Sequence, residues 1–512
     1  MKLLSRLFTV AEASQGNKEK NTTPILPNPV QVYQQNLEEI FEQCSDITYT
    51  PVKLNVGKEM IEGLLIYSNV LVNLDVINKN IIHPINSYES ERLSHGPQEP
   101  SLIYDKDHTP SKGNIRSLEI FAEIITTSNI KKIDHWSQVV QSILYGNTVL
   151  FTNYCSTALV LETKGKEGRS IAESTVESAI RSPRDSFIED IDTNIGLIRK
   201  RIKSSHLKVM NMIIGSESHT TISVLYMENK VNHHLLENII DLITNIETEV
   251  VLESAYIEQH LEQYPYSPFP QTQITERPDK VCGDLMEGRI IILTDGSPIA
   301  LVLPITFFQL FHSSEDYYTR IISSNLTRFF RFMGFFIATS LPSIYVALIS
   351  FHHEMIPMNL LIDLSKNRTN VPFPPVIEAL LMEVAVELIR EASNRLPQSI
   401  GQTIGIVGAI VIGDAAIQSN FASPTMVIVI GITVIGSYIF PHYNTSYALR
   451  ILRIPIIIMA ATFGAFGIVI SWCWVIIHLC NLESFGYPYL FPLAPLDNSV
   501  VKDGIIKKGL KN

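Results

Sequence analysis

Two long stretches in the C-terminal part of the chain carry almost no charge, and they decide which solvent this part can fold in. Between Ser399 and Leu449 the only formal charge is Asp414, and between Ile454 and Leu482 there is none. Ionised side chains are costly in hydrocarbon, so such stretches suit a bilayer interior. Upstream of about Arg328 the chain reads as charged and water-soluble. The overall 46% hydrophobic content of the 512 residues averages these two unlike parts. The expected fold class is an α/β cytosolic module of two duplicated subdomains followed by an all-α polytopic transmembrane domain of roughly four to six spans. The expected boundaries are a lead-in over 1–29, subdomains over 30–165 and 182–312, a transmembrane domain over 325–482 and a tail over 483–512.

Charge and cysteines narrow the partners. A net charge of −11 argues against nucleic acid, which needs a basic face. Cys44, Cys155, Cys282, Cys473 and Cys480 form no CxxC pair and no metal-ligand spacing. They read as buried or free thiols in a reducing compartment, with no cofactor. The segment Met1–Val10 contains Lys2 and Arg6 but no apolar core of signal-peptide length, and no lipidation motif is present. The soluble module is therefore expected on the cytoplasmic side. Arg328 and Arg331, just before the first apolar span, agree with the positive-inside rule.

The soluble module shows internal similarity. Gly146-NTVLFTNYCSTALV-Leu161 aligns without gaps on Gly288-RIIILTDGSPIALV-Leu303. Both copies read helix, glycine, strand, turn, strand, with the hairpin signal Asp295-Gly296 in the place of Asn153-Tyr154. Upstream, Tyr67, Val72 and Asn73 match Tyr226, Val231 and Asn232. The polar segment Ser87–Asn114 holds the extra length of the first copy. No GxGxxG, Walker loop, HExxH or GxSxG is present, so no enzymatic chemistry is indicated. The run Arg199-Lys200-Arg201-Lys203 suits either a phosphate or lipid head group or, more simply, a solvated helix face.

In the membrane module, Phe329–Phe351 is the first span, with Pro342 as a kink. Pro372-Phe373-Pro374-Pro375 opens a helix over Val376–Ile389 that carries Glu378, Glu383 and Glu387. At 100° per residue Glu383, Glu387, Arg390 and Glu391 share one stripe, which must face protein or water. Ser399–Asn420 is the third span. There Gly401, Gly405 and Gly408 make a small-residue face for helix packing. Pro424–Phe440 is the fourth span and Ile454–Leu479 the fifth. Segments near Met355–Leu364 and Tyr487–Leu496 are candidates for a partial span, since Lys502, Lys507, Lys508 and Lys511 would otherwise fall outside. The Glu383/Glu387 stripe has two readings. It pairs with arginines such as Arg390, Arg395 or Arg450, or it lines a cation path in an oligomer, with Leu380, Val384 and Leu388 as an apolar gate. Asp414 is a candidate intramembrane polar site.

Several ordered blocks resemble one family. They are SPRDSFIEDIDTNIGLIRKRIK from Ser182, LMEGRIIILTDGSPIALVLP from Leu285, EDYY from Glu315 and LPSIYVALISFHHEMIP from Leu341. VPFPPVIEALLMEVAVELIREA from Val371, IGIVGAIVIGDAA from Ile404 and SFGYPYLFPLAP from Ser484 complete the set. Together they resemble the A subunits of GerA-type spore germinant receptors of endospore-forming bacteria. The resemblance implies a multi-pass protein of the spore inner membrane with its N-terminal domain facing the cytosol. It also implies a permease-like B subunit and a lipoprotein C subunit as partners, contact with membrane lipid, and a homo-oligomeric ring that conducts ions when nutrients bind. The chain departs from the family pattern at Ser393-Asn394 and at Asp414. A stand-alone secondary transporter is the main alternative. Its usual repeated membrane halves are missing here, since the duplication lies in the soluble module.

Overall fold

The computed structural model describes residues 24–56, 59–88, 112–127, 129–165, 177, 182–396 and 398–496. Most of the lead-in, most of the polar segment Ser87–Asn114 and the tail lysines lie outside the described residues. The chain groups into two units. One holds the strands up to Leu303, and the other holds Glu262–Gln273 and the chain from Pro304 onward.

The first half of the N-terminal unit runs α1 (Val30–Ile40), β1 (Ile47–Val56), β2 (Glu59–Ser68), α2 (Leu74–Ile77), α3 (Lys112–Ile124), β3 (Ile130–Ile133), α4 (Trp136–Leu144), β4 (Thr148–Thr152) and β5 (Ala158–Leu161). The second runs α5 (Ile191–Arg201), β6 (Leu207–Ile214), β7 (Thr220–Met227), α6 (His233–Thr244), α7 (Ser254–Leu261), β8 (Gln273–Thr275), α8 (Pro278–Met286), β9 (Ile290–Thr294) and β10 (Ala300–Leu303). The two sheets have the same strand order, β1-β2-β4-β5-β3 and β6-β7-β9-β10-β8. Every strand of one half thus has a counterpart at the same place in the other.

The landmarks in the sequence explain this repeat. β4 pairs antiparallel with β5, Thr148 opposite Leu161, and β9 pairs with β10, Ile290 opposite Leu303. All four strands are buried along their length, which suits their unbroken apolar character. Gly146 and Gly288 end the preceding helices at φ +86° and +88°, where a side chain would be strained. The turn between the paired strands is tied down in the same way in each half. The Tyr154 amide donates to Asn28 O at 2.8 Å, and the Gly296 amide donates to Glu189 O at 2.8 Å. Asn73 and Asn232 each cap the helix that follows with a side-chain oxygen.

One member of the basic run is not on a solvated face, although Arg201 and Lys203 remain exposed. Arg199 is fully buried, and its Nε and Nη2 donate to Asp46 at 2.9 and 2.8 Å. Burial by itself favours the neutral guanidine, but the Asp46 carboxylate more than offsets it and holds Arg199 charged. Arg201 bonds Asp185, and Lys203 lies 3.9 Å from the Tyr145 ring centroid. The ionic link joins the two halves, because Asp46 precedes β1 and Arg199 lies on α5. The backbone supports it: Ser45 N donates to Val209 O at 2.8 Å and Val209 N to Gln43 O at 3.1 Å. All five cysteines are free thiols. Burial pushes the Cys282 thiol up to about 12.

The second unit contains α9 (Ile321–Ser350), α10 (Met358–Arg368), α11 (Pro375–Arg395), α12 (Gln398–Gln418), α13 (Pro424–Tyr438), α14 (Tyr443–Phe463) and α15 (Ala465–Asn481). Ile454–Leu479, expected as one span, is two helices. Gly464 breaks it at φ +62°, and a side chain there would meet His352 Nε2 at 2.9 Å and Phe351 Cβ at 3.1 Å. Ile321–Ser350 and Asn444–Phe463 are long and apolar enough to cross a membrane, whereas Pro424–Tyr438 and Ala465–Asn481 are apolar but shorter. A 15-residue helix such as α13 rises about 22 Å, short of a hydrocarbon core of about 30 Å. Met358–Arg368 is a helix of 11 residues and Tyr487-Pro488 form a small strand, so neither is long enough for a full span. Among the described residues two clear apolar spans are present, and the expected four to six are not confirmed.

Removing one partner of the Asp46–Arg199 pair would leave a charge buried. Arg199→Ala is therefore expected to destabilise the N-terminal unit by about 3–5 kcal/mol. Thermal unfolding of the purified chain, read by hydrogen exchange on β1 and β6, checks this. A loss below about 1 kcal/mol would mean that the backbone contacts alone hold the halves together.

Candidate functional site

The second unit buries several ionised side chains within its apolar core and exposes many apolar ones. Ile428, Ile432 and Ile435 on α13 and Phe466, Val469, Trp474 and Ile477 on α15 are exposed. Arg328, Arg331, Glu378 and Arg453 are buried. That inversion suits a lipid surround, since exposed apolar area of this extent is unfavourable in water. Arg328 and Arg331 turn inward onto Asp316 of the EDYY segment, at 3.5 and 2.6 Å. Their charges are spent on that carboxylate rather than displayed beside the first span. Beneath them Phe307, Phe311, Phe335 and Phe440 pack edge to face.

α11 carries the candidate residues. Pro374 and Pro375 start it, with Pro375 at the first helical position where no amide is needed. Its inner face places Glu378, Ala379 and Met382 in the core. Glu378 is fully buried, and its Oε1 accepts from Ser423 N at 2.6 Å and from the Ser423 hydroxyl at 2.5 Å. Ser423 is the N-cap of α13, so this carboxylate sits at a helix N-terminus, where negative charge is favoured. The Arg368 guanidinium lies 3.4 Å from the other oxygen.

Glu383 and Glu387 occupy the shoulder of the helix. Glu383 Oε2 pairs with Arg453 Nη1 of α14 at 2.6 Å. Glu387 bonds Arg450 of the same helix and lies 3.5 Å from Arg390. Arg450 stacks 3.8 Å from the Tyr447 ring centroid, and Arg390 lies 5.2 Å from that of Tyr438. Arg395, the other partner considered, pairs with Glu391 at 2.7 Å. Two carboxylates therefore face three guanidiniums, those of Arg390, Arg450 and Arg453. Each carboxylate of the pair thus has an arginine partner within one chain.

The outer face of α11 is different. Val384 is 58% exposed and Leu388 66%, with Ile377 also exposed and Leu380 half-buried beside them. The Glu387 side chain is half exposed among these apolar residues. Gly405 and Gly408 of α12 face α11. A β-carbon at Gly405 would lie 3.2 Å from Ser393 Oγ, and one at Gly408 would lie 3.8 Å from Ile389 Cγ2. The surroundings of Gly401 lie outside the described residues. Asp414 is exposed near the end of α12 and accepts from Gln418 Nε2 at 2.7 Å. Glu378 and Arg453 escaped the sequence reading as site residues. The helical phase set Glu378 apart from the stripe, and Arg453 was visible only as a charge ahead of an apolar run. Among the described residues no cluster of histidine, cysteine and carboxylates could hold a metal.

An α/β module joined in sequence to a helical unit with apolar outer faces is the architecture of a membrane-associated protein. The chain belongs to the GerA family: the family described as Bacillus/Clostridium GerA spore germination protein matches residues 35–512. It is 38% identical over 490 residues to the uncharacterized membrane protein YfkQ of Bacillus subtilis, which covers 96% of this chain and 91% of that one. It is 36% identical over 463 residues to spore germination protein KA of Bacillus subtilis, covering 90% and 81%. It is also similar to the crystal structure of the N-terminal domain of the A subunit of the Bacillus megaterium spore germinant receptor GerK3. There the identity is 25% and the TM-score 0.41, over 56% of this chain and 98% of the other.

Glu378→Gln should cost about 1–3 kcal/mol, because the amide keeps the shape but loses the charge at the α13 terminus. Ser423→Ala removes the hydroxyl that donates to the same Glu378 oxygen and leaves the backbone N–H bond in place. The double variant should therefore lose less than the sum of the two, read as thermal midpoints of the purified chain. Additive losses would show that the two groups act separately. Gly405→Leu should push α12 off α11 and lower abundance in membranes; unchanged abundance would show that this face tolerates bulk.

Proposed function

We propose that this chain is a membrane subunit of a nutrient-responsive spore germination receptor. It acts in an oligomer as a ligand-gated ion-conducting channel that transduces germinant binding. The observation that supports this reading most is the two-sided character of α11. One side is fixed to α14 by Glu383 and Glu387, and the other presents Val384, Leu388 and Ile377 as exposed residues. Copies of this face arranged around an axis form an apolar constriction, and half-exposed Glu387 carboxylates lie beside it. The names of the relatives support the receptor role. On this reading the protein resides in the spore inner membrane with its N-terminal unit on the cytoplasmic side, working with a permease-like B subunit and a lipoprotein C subunit.

Val384→Asn with Leu388→Asn should wet the constriction and raise cation leak in reconstituted membranes, with the protein still assembled. Glu387→Gln should reduce cation selectivity. Glu383→Gln, by contrast, should lower protein level first, since it strands Arg453 in the core. Unchanged leak and selectivity in well-assembled variants would sink the channel reading. Coupled solute uptake without ionic current would favour the stand-alone transporter.

A further inference from the structure

The best-supported unassigned feature lies where α9, α11 and α14 meet. Pro342 is inside α9 and has no amide hydrogen, so the carbonyl four residues earlier, that of Ala338, receives no helical hydrogen bond. That carbonyl is buried in the unit, where an unpaired acceptor is costly. Arg453 supplies the missing donor: its Nε reaches Ala338 O at 2.6 Å, while its Nη1 reaches Glu383 Oε2 at 2.6 Å. The side chain is 2% exposed. Glu383 Oε1 and Arg453 Nη2 have no further partner among the described residues, so these two bonds are the whole polar link.

We propose that Arg453 is the positioning residue of α11, fixing that helix by filling the hydrogen-bond gap that Pro342 opens in α9. A guanidinium suits the task because its planar fork can bond two acceptors in fixed directions at once. A lysine ammonium, a point charge on a flexible stem, can keep the carboxylate but not both. Proline and arginine therefore act as a matched pair on different helices. The proline exposes a backbone acceptor, and the arginine carries the position of that backbone across to the acidic helix. The consequence for gating rests on the channel reading above, since α11 is its candidate pore helix; the positioning role does not.

The test uses the full chain in lipid, with Arg453→Lys, Pro342→Ala and the double variant. Hydrogen exchange of the α11 amides and ion permeability of proteoliposomes are both read. Arg453→Lys alone should speed α11 exchange by about fivefold or more and raise ion leak. In the Pro342→Ala background the new Ala338–residue 342 helical bond removes the gap. The same lysine change should then alter exchange by less than about twofold. Equal effects in both backgrounds would overturn the proposal, because Arg453 would then act through Glu383 alone. No effect in either background would overturn it too. Should Arg453→Lys fail to fold, Pro342→Ala alone is read: faster α11 exchange supports the link, and unchanged exchange overturns it. If exchange follows the expected pattern while permeability moves in no variant, the positioning role stands and the channel reading fails.

Discussion

A buried guanidinium has to find acceptors, and both units are organised around that requirement. In the N-terminal unit Arg199 reaches from α5 to Asp46, tying the second half of the repeat to the first. In the helical unit Arg453 reaches from α14 to Glu383 on α11 and to the backbone of α9. Arginine serves where lysine would not, because its fork satisfies two acceptors in one plane and it remains charged when buried. Such pairs add little net stability beyond what apolar residues would give, but breaking one is expensive. They specify which helices are neighbours, and packing then fills in around them.

The repeat in the N-terminal unit was legible because its signals are local. A glycine past a helix, an apolar run, a turn and a second apolar run appear twice at the same spacing, and β4–β5 and β9–β10 follow them. Strands β1 and β3 were not legible. β1 contains Pro51 and Lys53 and sits at a sheet edge, so its alternation is weak, and β3 has only four residues. The break at Gly464 was hidden for another reason. Hydropathy reports solvent preference, and a glycine at φ +62° costs nothing on that scale while reversing the chain.

The acidic stripe was legible from helical spacing, but its partners were not. Glu383 and Glu387 are one turn apart, so their common face follows from the helix alone. That Glu383 meets Arg453 rather than Arg390 depends on how α14 packs, and no local pattern encodes that. The same limit explains the basic run at Arg199. Three cations in the last turn of a helix suit the helix dipole and look solvated. Only the fold shows that one of them is swallowed by the contact with Asp46.

Pairing within the chain changes what a ring of α11 helices could be. An acidic ring attracts cations because its carboxylates are unpaired and repel one another. Here each carboxylate already has an arginine within its own chain, and the cluster of Arg390, Arg450, Arg453, Glu383 and Glu387 is net positive by one, three cations against two anions. On the channel reading proposed above, Glu383 ties α11 to Arg453, and Glu387, the half-exposed member, is the carboxylate nearer to solvent. Because Glu387 is shared between Arg450 and Arg390, a small rotation of α11 would change how far its charge is screened. An apolar face beside a screened carboxylate stays dry, and the same face beside a released one admits water and cations. In such an arrangement the opening of a path and the uncovering of its charge are one motion.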